Sequence, residues 1–228
     1  MSSDLDLTKM TLLNPDISDC PYDAYGKLRT EAPVWRDNAT GMYVITRFED
    51  VRMVLSDTER FTSARHRGRV DPRSAKIKAM YEKNGWVPGA TLAARDDPEH
   101  REMRGLFNHA FRPSKIKEMD PFIEVLAHQL IDDFIETGTC DWVRSFAIPL
   151  PLIVIGRQMG ARDEDMWQIK AWTDAWVQRL GMMQSDEEAF WSTEQEIEAQ
   201  HYFQPIFERL RQQPDDTLLS DLVNTVVP

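Results

Sequence analysis

Cysteine is scarce in this chain: 228 residues hold only two, Cys20 and Cys140. They stand far apart, without the close spacing of a metal site or a disulfide framework, so two reduced thiols are expected. Long apolar runs are lacking as well. None approaches the roughly 18 residues that a membrane span requires. Positive charge is in the minority, with 27 Lys and Arg against 38 Asp and Glu for a net charge of −11. A nucleic-acid binder needs a basic face for phosphates, and this balance argues against one. The polar, acidic opening from Met1 to Lys9 has the form of neither a signal nor a transit peptide, so a cytoplasmic protein is expected. No internal repeat or low-complexity tract is visible.

What remains suits a folded protein that buries a core: 42% of residues are apolar and 29% charged. Early on, Asp19 stands as a cap before Pro21, and Tyr22, Tyr25 and Leu28 recur at helical spacing until Pro33 stops them. Val34–Arg36 and Met42–Thr46 flank a turn-rich loop, the pattern of a hairpin. Phe48, Val51, Val54 and Leu55 outline another short helix. Residues 62–95 read as a long loop with one helix near Ala75–Tyr81, and long loops in compact domains are usually functional or mobile.

Beyond residue 97 the pattern is helical. Ile116, Met119, Ile123, Leu126, Ala127, Leu130 and Phe134 keep a 3.6-residue period. Phe146 to Met159 is apolar all round, as in a helix buried within a bundle. Two long helices are expected over Asp163–Leu180 and Asp186–Arg211, the second kinked at Pro205, and one more begins at Thr217. The expectation is a mainly α fold with a small antiparallel β-sheet near the N-terminus.

The chemistry concentrates in Asp96-Asp97-Pro98-Glu99-His100-Arg101-Glu102-Met103-Arg104. Asp97 is placed to cap a helix whose first residue is Pro98. At about 100° per residue, His100, Arg104, Phe107 and Phe111 fall on one face, which Met103, Leu106 and Ala110 extend. Arg101, Asn108 and His109 point to solvent. An arginine at the edge of a core-facing stripe is costly unless an anion meets it. Two donors one turn apart suit a carboxylate or a phosphate. Spacing leaves two readings open, an internal salt bridge and a bound anionic ligand.

Residues 96–113, Asp-Asp-Pro-Glu-His-Arg-Glu-Met-Arg-Gly-Leu-Phe-Asn-His-Ala-Phe-Arg-Pro, resemble the C-helix signature of bacterial cytochromes P450, haem-thiolate monooxygenases. The Asp-x-Pro-Glu-His start, the His-x-x-x-Arg pair and the closing Ala-Phe-x-Pro all coincide. The strands Val34-Trp35 and Tyr43–Thr46, the helix after them and Arg60–Ser63 follow the family's order too, and the resemblance extends over about residues 12–226. It implies a haem cofactor whose propionates are held by His100 and Arg104. It also implies insertion of one oxygen atom from O₂ into a hydrophobic small molecule, with electrons from NAD(P)H through a ferredoxin-type donor. Trp86, Val87, Leu92 and Ala93 would line the substrate pocket, with ordinary loop anchoring as the plainer reading. Trp172, Trp176 and Met182 fall in the region of the family's mobile lid, without an assigned role. Arg101, Arg112, Lys115 and Lys117 would face the acidic ferredoxin, with a solvated basic face as the rival.

Departures from the family are equally specific. The axial ligand comes from a Phe-x-x-Gly-x-x-x-Cys loop, and neither Cys20 nor Cys140 fits it, so no metal ligand is assigned. The Ala-Gly-x-x-Thr of the oxygen-binding helix is absent. Glu49–Arg52 and Glu208–Arg211 match the family's Glu-x-x-Arg in the wrong place. The expectation is therefore the N-terminal part, residues 1–228, of a single P450 domain, an incomplete fold running through about the H helix and inactive alone. Apolar faces shared with the rest of such a domain would then stand exposed. Two rivals remain: a metal-dependent helical enzyme using Asp96 and Asp97, which lacks further acidic ligands at helical spacing, and a haem-free helical interaction module.

Overall fold

A computed structural model describes residues 5–64, 73–180 and 184–225. The chain divides into two units, residues 1–65 and 66–228. It is mainly helical with one two-stranded antiparallel sheet, as expected.

In the first unit, α1 (Pro15–Asp19), α2 (Tyr22–Glu31), β1 (Val34–Arg36), β2 (Tyr43–Ile45) and α3 (Phe48–Ser56) follow one another. The cap differs from expectation. Asn14 caps α1 by accepting from the Asp16 amide, and no side chain caps α2, whose entry is Pro21 itself. Asp19 is consumed as the last residue of α1. In the hairpin Val34 pairs with Ile45, Trp35 with Val44 and Arg36 with Tyr43. Alternation turns Trp35 inward, where it joins Met10, Ala24 and Leu28 in a small core, its indole N–H bonded to the Leu7 carbonyl at 3.1 Å.

Asp37, 1% exposed, ties the hairpin to the N-terminal segment. Its carboxylate accepts from the Thr11 hydroxyl at 2.9 Å, the Leu12 amide at 3.3 Å and the Ala39 amide at 2.8 Å. Burial alone would raise its pKa, but these hydrogen bonds to the charged form outweigh burial and lower it. Gly41, at φ +72°, closes the loop with its N–H on the Asp37 carbonyl.

The second unit holds α4 (Ser74–Asn84), α5 (Glu99–Ala110), α6 (Pro113–Ile135), α7 (Pro149–Gln158), α8 (Met166–Leu180), α9 (Asp186–Gln212) and α10 (Leu218–Asn224). The longest, α9, packs against α8, α10 and α4, and α5 packs on α10. Ser185 starts α9 with a capping box, its hydroxyl on the Glu188 amide and the Glu188 carboxylate on its own amide. Pro205 is accommodated inside α9, and Pro121 inside α6. The apolar stretch Phe146–Met159 has the pattern of a bundle-buried helix, expected to show apolar faces in a partial domain, and it stands partly exposed. A π turn over Val143–Ala147 precedes α7, only Pro149 and Gly156 of α7 are buried, and Ile155 is 40% exposed.

Replacing Asp37 with Ala is expected to destabilise the first unit by about 2 kcal/mol, the scale of hydrogen bonds to a charged group. Its lowered pKa means that the wild-type contribution is full above the unfolded carboxylate value of about 3.9 and fades as pH falls through the folded value. Urea titration followed by Trp35 fluorescence in a background of the other tryptophans replaced checks both. No change in midpoint would remove Asp37 as the tie.

Candidate functional site

The helix carrying His100 and Arg104 begins one residue later than expected. Pro98 is the entry to α5 and no side chain caps it. Asp97 instead accepts from Arg101 at 2.6 Å, and its carboxylate lies 3.6 Å from His100 Nδ1. The carboxylate is drawn to neighbouring cations rather than to a backbone N–H, while the His100 amide bonds to the Asp96 carbonyl at 2.9 Å.

The broad face read from the sequence separates into two strips. Ala110 is buried, with Met103 and Leu106 half-buried on its side of α5. About 60–100° around the helix, His100, Arg104, Phe107 and Phe111 form a strip that is open rather than buried. The His100 side chain is 43% exposed, Phe107 and Phe111 are 37% and 44% exposed, and Arg104 is exposed. Packing α5 on α10 uses the narrower strip and leaves the other uncovered.

Arg104 Nε donates to Asn108 Oδ1 at 3.3 Å, and among the described residues no carboxylate pairs with it. The internal salt bridge left open by the sequence is therefore not formed there. An arginine and a histidine one turn apart, followed along the same strip by two open phenylalanine rings, offer donors to an anion and an apolar surface beside them. Such a donor set fits a planar, hydrophobic group with carboxylates at its edge.

Around this strip the other sequence-derived residues lie as follows. Trp86 and Val87 are exposed in the segment after α4, and Leu92 and Ala93 sit in a single 3₁₀ turn, Leu92–Ala94, which packs on α5. Arg101 is exposed and paired with Asp97. Arg112 reaches Asp221 of α10 at 3.1 Å, and Lys115, its side chain 11% exposed, donates to the Asp216 carbonyl at 3.0 Å. Of the basic cluster Arg101, Arg112, Lys115 and Lys117, Arg101 and Lys117 are exposed, while Arg112 and Lys115 tie the start of α6 to the α10 region. Trp172 is buried against Tyr202 and Phe203 and donates to Glu198 at 3.1 Å, a core role, whereas Trp176 is 43% exposed. Met182 and the loop residues 65–72 lie outside the described residues. Cys20 and Cys140 are both exposed, and the described residues hold no group of metal-ligating side chains.

One cluster carried no local signal in the sequence. The Tyr81 hydroxyl donates to Glu196 at 2.6 Å, while Arg179 bonds both Tyr81, at 2.6 Å, and Glu196, so that α4, α8 and α9 meet at one ion pair. Burial first, then the Glu196 carboxylate, push the Tyr81 pKa up to about 12.

Set beside known proteins, the sequence matches no protein-family model. The polyketide biosynthesis cytochrome P450 PksS of Bacillus subtilis is 30% identical over 211 residues, which cover 90% of this chain and 50% of that protein. This chain is homologous to the N-terminal half of bacterial cytochromes P450. Cytochrome P450(MEG) of Priestia megaterium is 29% identical over 210 residues, 91% of this chain and 49% of its own length. The solved structure of PksS superposes with a TM-score of 0.75 at 28% identity, covering 95% of this chain and 52% of that one. Ligand-free cytochrome P450 TbtJ1 gives a TM-score of 0.71 at 30% identity over 93% and 50%. The P450 half-chain thus spans about half the length of the curated relatives it matches.

Glu196→Gln is expected to lower the Tyr81 pKa from about 12 yet leave it above the usual value of about 10, because burial is the larger cause. In the wild type, Tyr81 contributes stability below about pH 10 that is lost as pH rises toward 12. Ultraviolet titration of phenolate, with Tyr81→Phe as the blank, reads the shift. An unchanged titration would remove Glu196 as a cause.

Proposed function

We propose that this chain supplies the propionate-binding helix and part of the substrate pocket of a haem-dependent monooxygenase, and that its two units belong to one P450 domain. The observation that carries the reading is Arg104, a guanidinium on an open aromatic strip with no carboxylate partner among the described residues. In this reading His100 and Arg104 would hold the two propionates, and Phe107 and Phe111 would offer apolar surface on the same strip. Haem bound there would supply the iron that activates O₂ for insertion of one oxygen atom into a hydrophobic substrate. The chain's own part is narrower: it binds the carboxylates, orients the ring and shields one edge from water. Asp97, close to His100 Nδ1, orients that imidazole for its task. No Phe-x-x-Gly-x-x-x-Cys loop occurs among the 228 residues, so the axial thiolate is not provided by them.

Trp86, Val87, Leu92 and Ala93 are the pocket-lining candidates, and their apolar character favours a hydrophobic small molecule. Electrons would come from NAD(P)H through a ferredoxin-type donor. Of the basic residues considered for that encounter, Arg101 and Lys117 retain the exposure it requires. No described helix is long and apolar enough to cross a membrane, and a cytoplasmic location is the reading we adopt.

Titration with haemin should be saturable for the wild-type chain and at least about tenfold weaker for Arg104→Ala, the scale of a lost charge-assisted hydrogen bond. Reduced and exposed to carbon monoxide, the loaded chain should lack the thiolate Soret band. Equal affinity in both forms, or no uptake at all, favours the haem-free helical module instead. Arg101→Glu should weaken binding of a reduced ferredoxin and flatten its salt dependence, measured by calorimetry at two ionic strengths; an unaltered salt slope would take Arg101 out of the docking face.

A further inference from the structure

The segment that carries Trp86 and Val87 leaves α4 and is met at once by α9. Gln200 Oε1 accepts from the Trp86 backbone N–H at 3.1 Å, and Gln200 Nε2 donates to the Trp86 carbonyl at 2.8 Å. One side-chain amide therefore satisfies both polar backbone groups of a single loop residue, as a neighbouring strand would. Beside it, His201 Nε2 lies 2.6 Å from the Asn84 carbonyl, and one turn back along α9 Glu196 receives the Tyr81 hydroxyl. Three α9 side chains thus grip the last turn of α4 and the first residues after it.

Gly85 is what admits the amide. A Cβ there would lie 2.4 Å from Gln200 Oε1 and 3.3 Å from Ile197 Cγ2. The first of these is the tip of a flexible side chain, so a methyl would evict the amide at little cost to the helix. Trp86 and Val87 themselves are 42% and 48% exposed. With side chains this open, packing constrains them weakly, and the two-point backbone bracket governs where they point.

We propose that Gln200 is a positioning residue: its amide fixes the backbone of Trp86 and so sets the direction in which Trp86 and Val87 face a bound ligand. This deepens, and rests on, the reading of those two residues as pocket lining. It adds a residue on a distant helix, away from the anion-binding strip, to the determinants of what the pocket accepts.

Hydrogen exchange read by mass spectrometry on the 228-residue chain tests the anchor without haem. Gln200→Ala is expected to speed exchange over residues 86–93 about tenfold, the loss of one net hydrogen bond, and to leave α6 unchanged. Gly85→Ala, which displaces the amide without altering it, is expected to do the same. Exchange equal to wild type in both variants overturns the anchor. Its consequence for ligands is read on the haemin-loaded chain with imidazole and 4-phenylimidazole, which share the iron-binding nitrogen but differ in the ring that needs a pocket wall. Gln200→Ala should weaken 4-phenylimidazole relative to imidazole about tenfold. Equal loss for both probes, or no loss for either, overturns the positioning role. Failure to take up haemin contradicts the haem reading instead, and the exchange result then still decides the anchor.

Discussion

A guanidinium set on an apolar surface has to find an anion, and among the described residues Arg104 finds only the Asn108 amide oxygen at 3.3 Å. Water meets part of that demand because the strip is open. Nevertheless, among the described residues the arrangement leaves a fixed positive charge with no carboxylate partner, beside a histidine one turn away and two exposed aromatic rings. That combination is what a carboxylate-edged, flat and hydrophobic group requires. Homology to the N-terminal half of bacterial cytochromes P450 and the open chemistry of this one strip point the same way from separate grounds.

The rest of the second unit explains why the strip is free. Arg112 and Lys115 tie the start of α6 to Asp221 and to the Asp216 carbonyl, and α5 packs on α10. Once α5 is held by that side, its neighbouring strip has nothing to pack on among the described elements. Helix α9 does comparable work on the other flank. Its side chains at 196, 200 and 201 hold α4 and the loop that follows, so the candidate pocket wall and α4 share one support.

Much of this was legible before any coordinates. Two strand-like runs flanking a turn-rich loop marked β1 and β2, and the 3.6-residue period of Ile116 to Phe134 marked α6, because both are local signals. His100 and Arg104 were legible as a pair for the same reason. Burial was not. Periodicity reports that residues share a face, not what covers it, so the open state of Phe107 and Phe111 had no sequence signature. Caps fell between these cases. Ser185-x-x-Glu188 was readable in principle, whereas Asp97 carried a capping pattern yet turned to Arg101. The Gln200 bracket, spanning 114 residues, depends entirely on how α4 and α9 pack.

The central claim is that the His100–Arg104 strip is where haem binds. Nuclear magnetic resonance of the selectively labelled chain tests it most directly, since paramagnetic haemin broadens nearby signals. The account predicts early broadening of the His100 ring and the Phe107 and Phe111 rings, abolished by Arg104→Ala. Broadening centred elsewhere, or the same pattern with Arg104 removed, would contradict it.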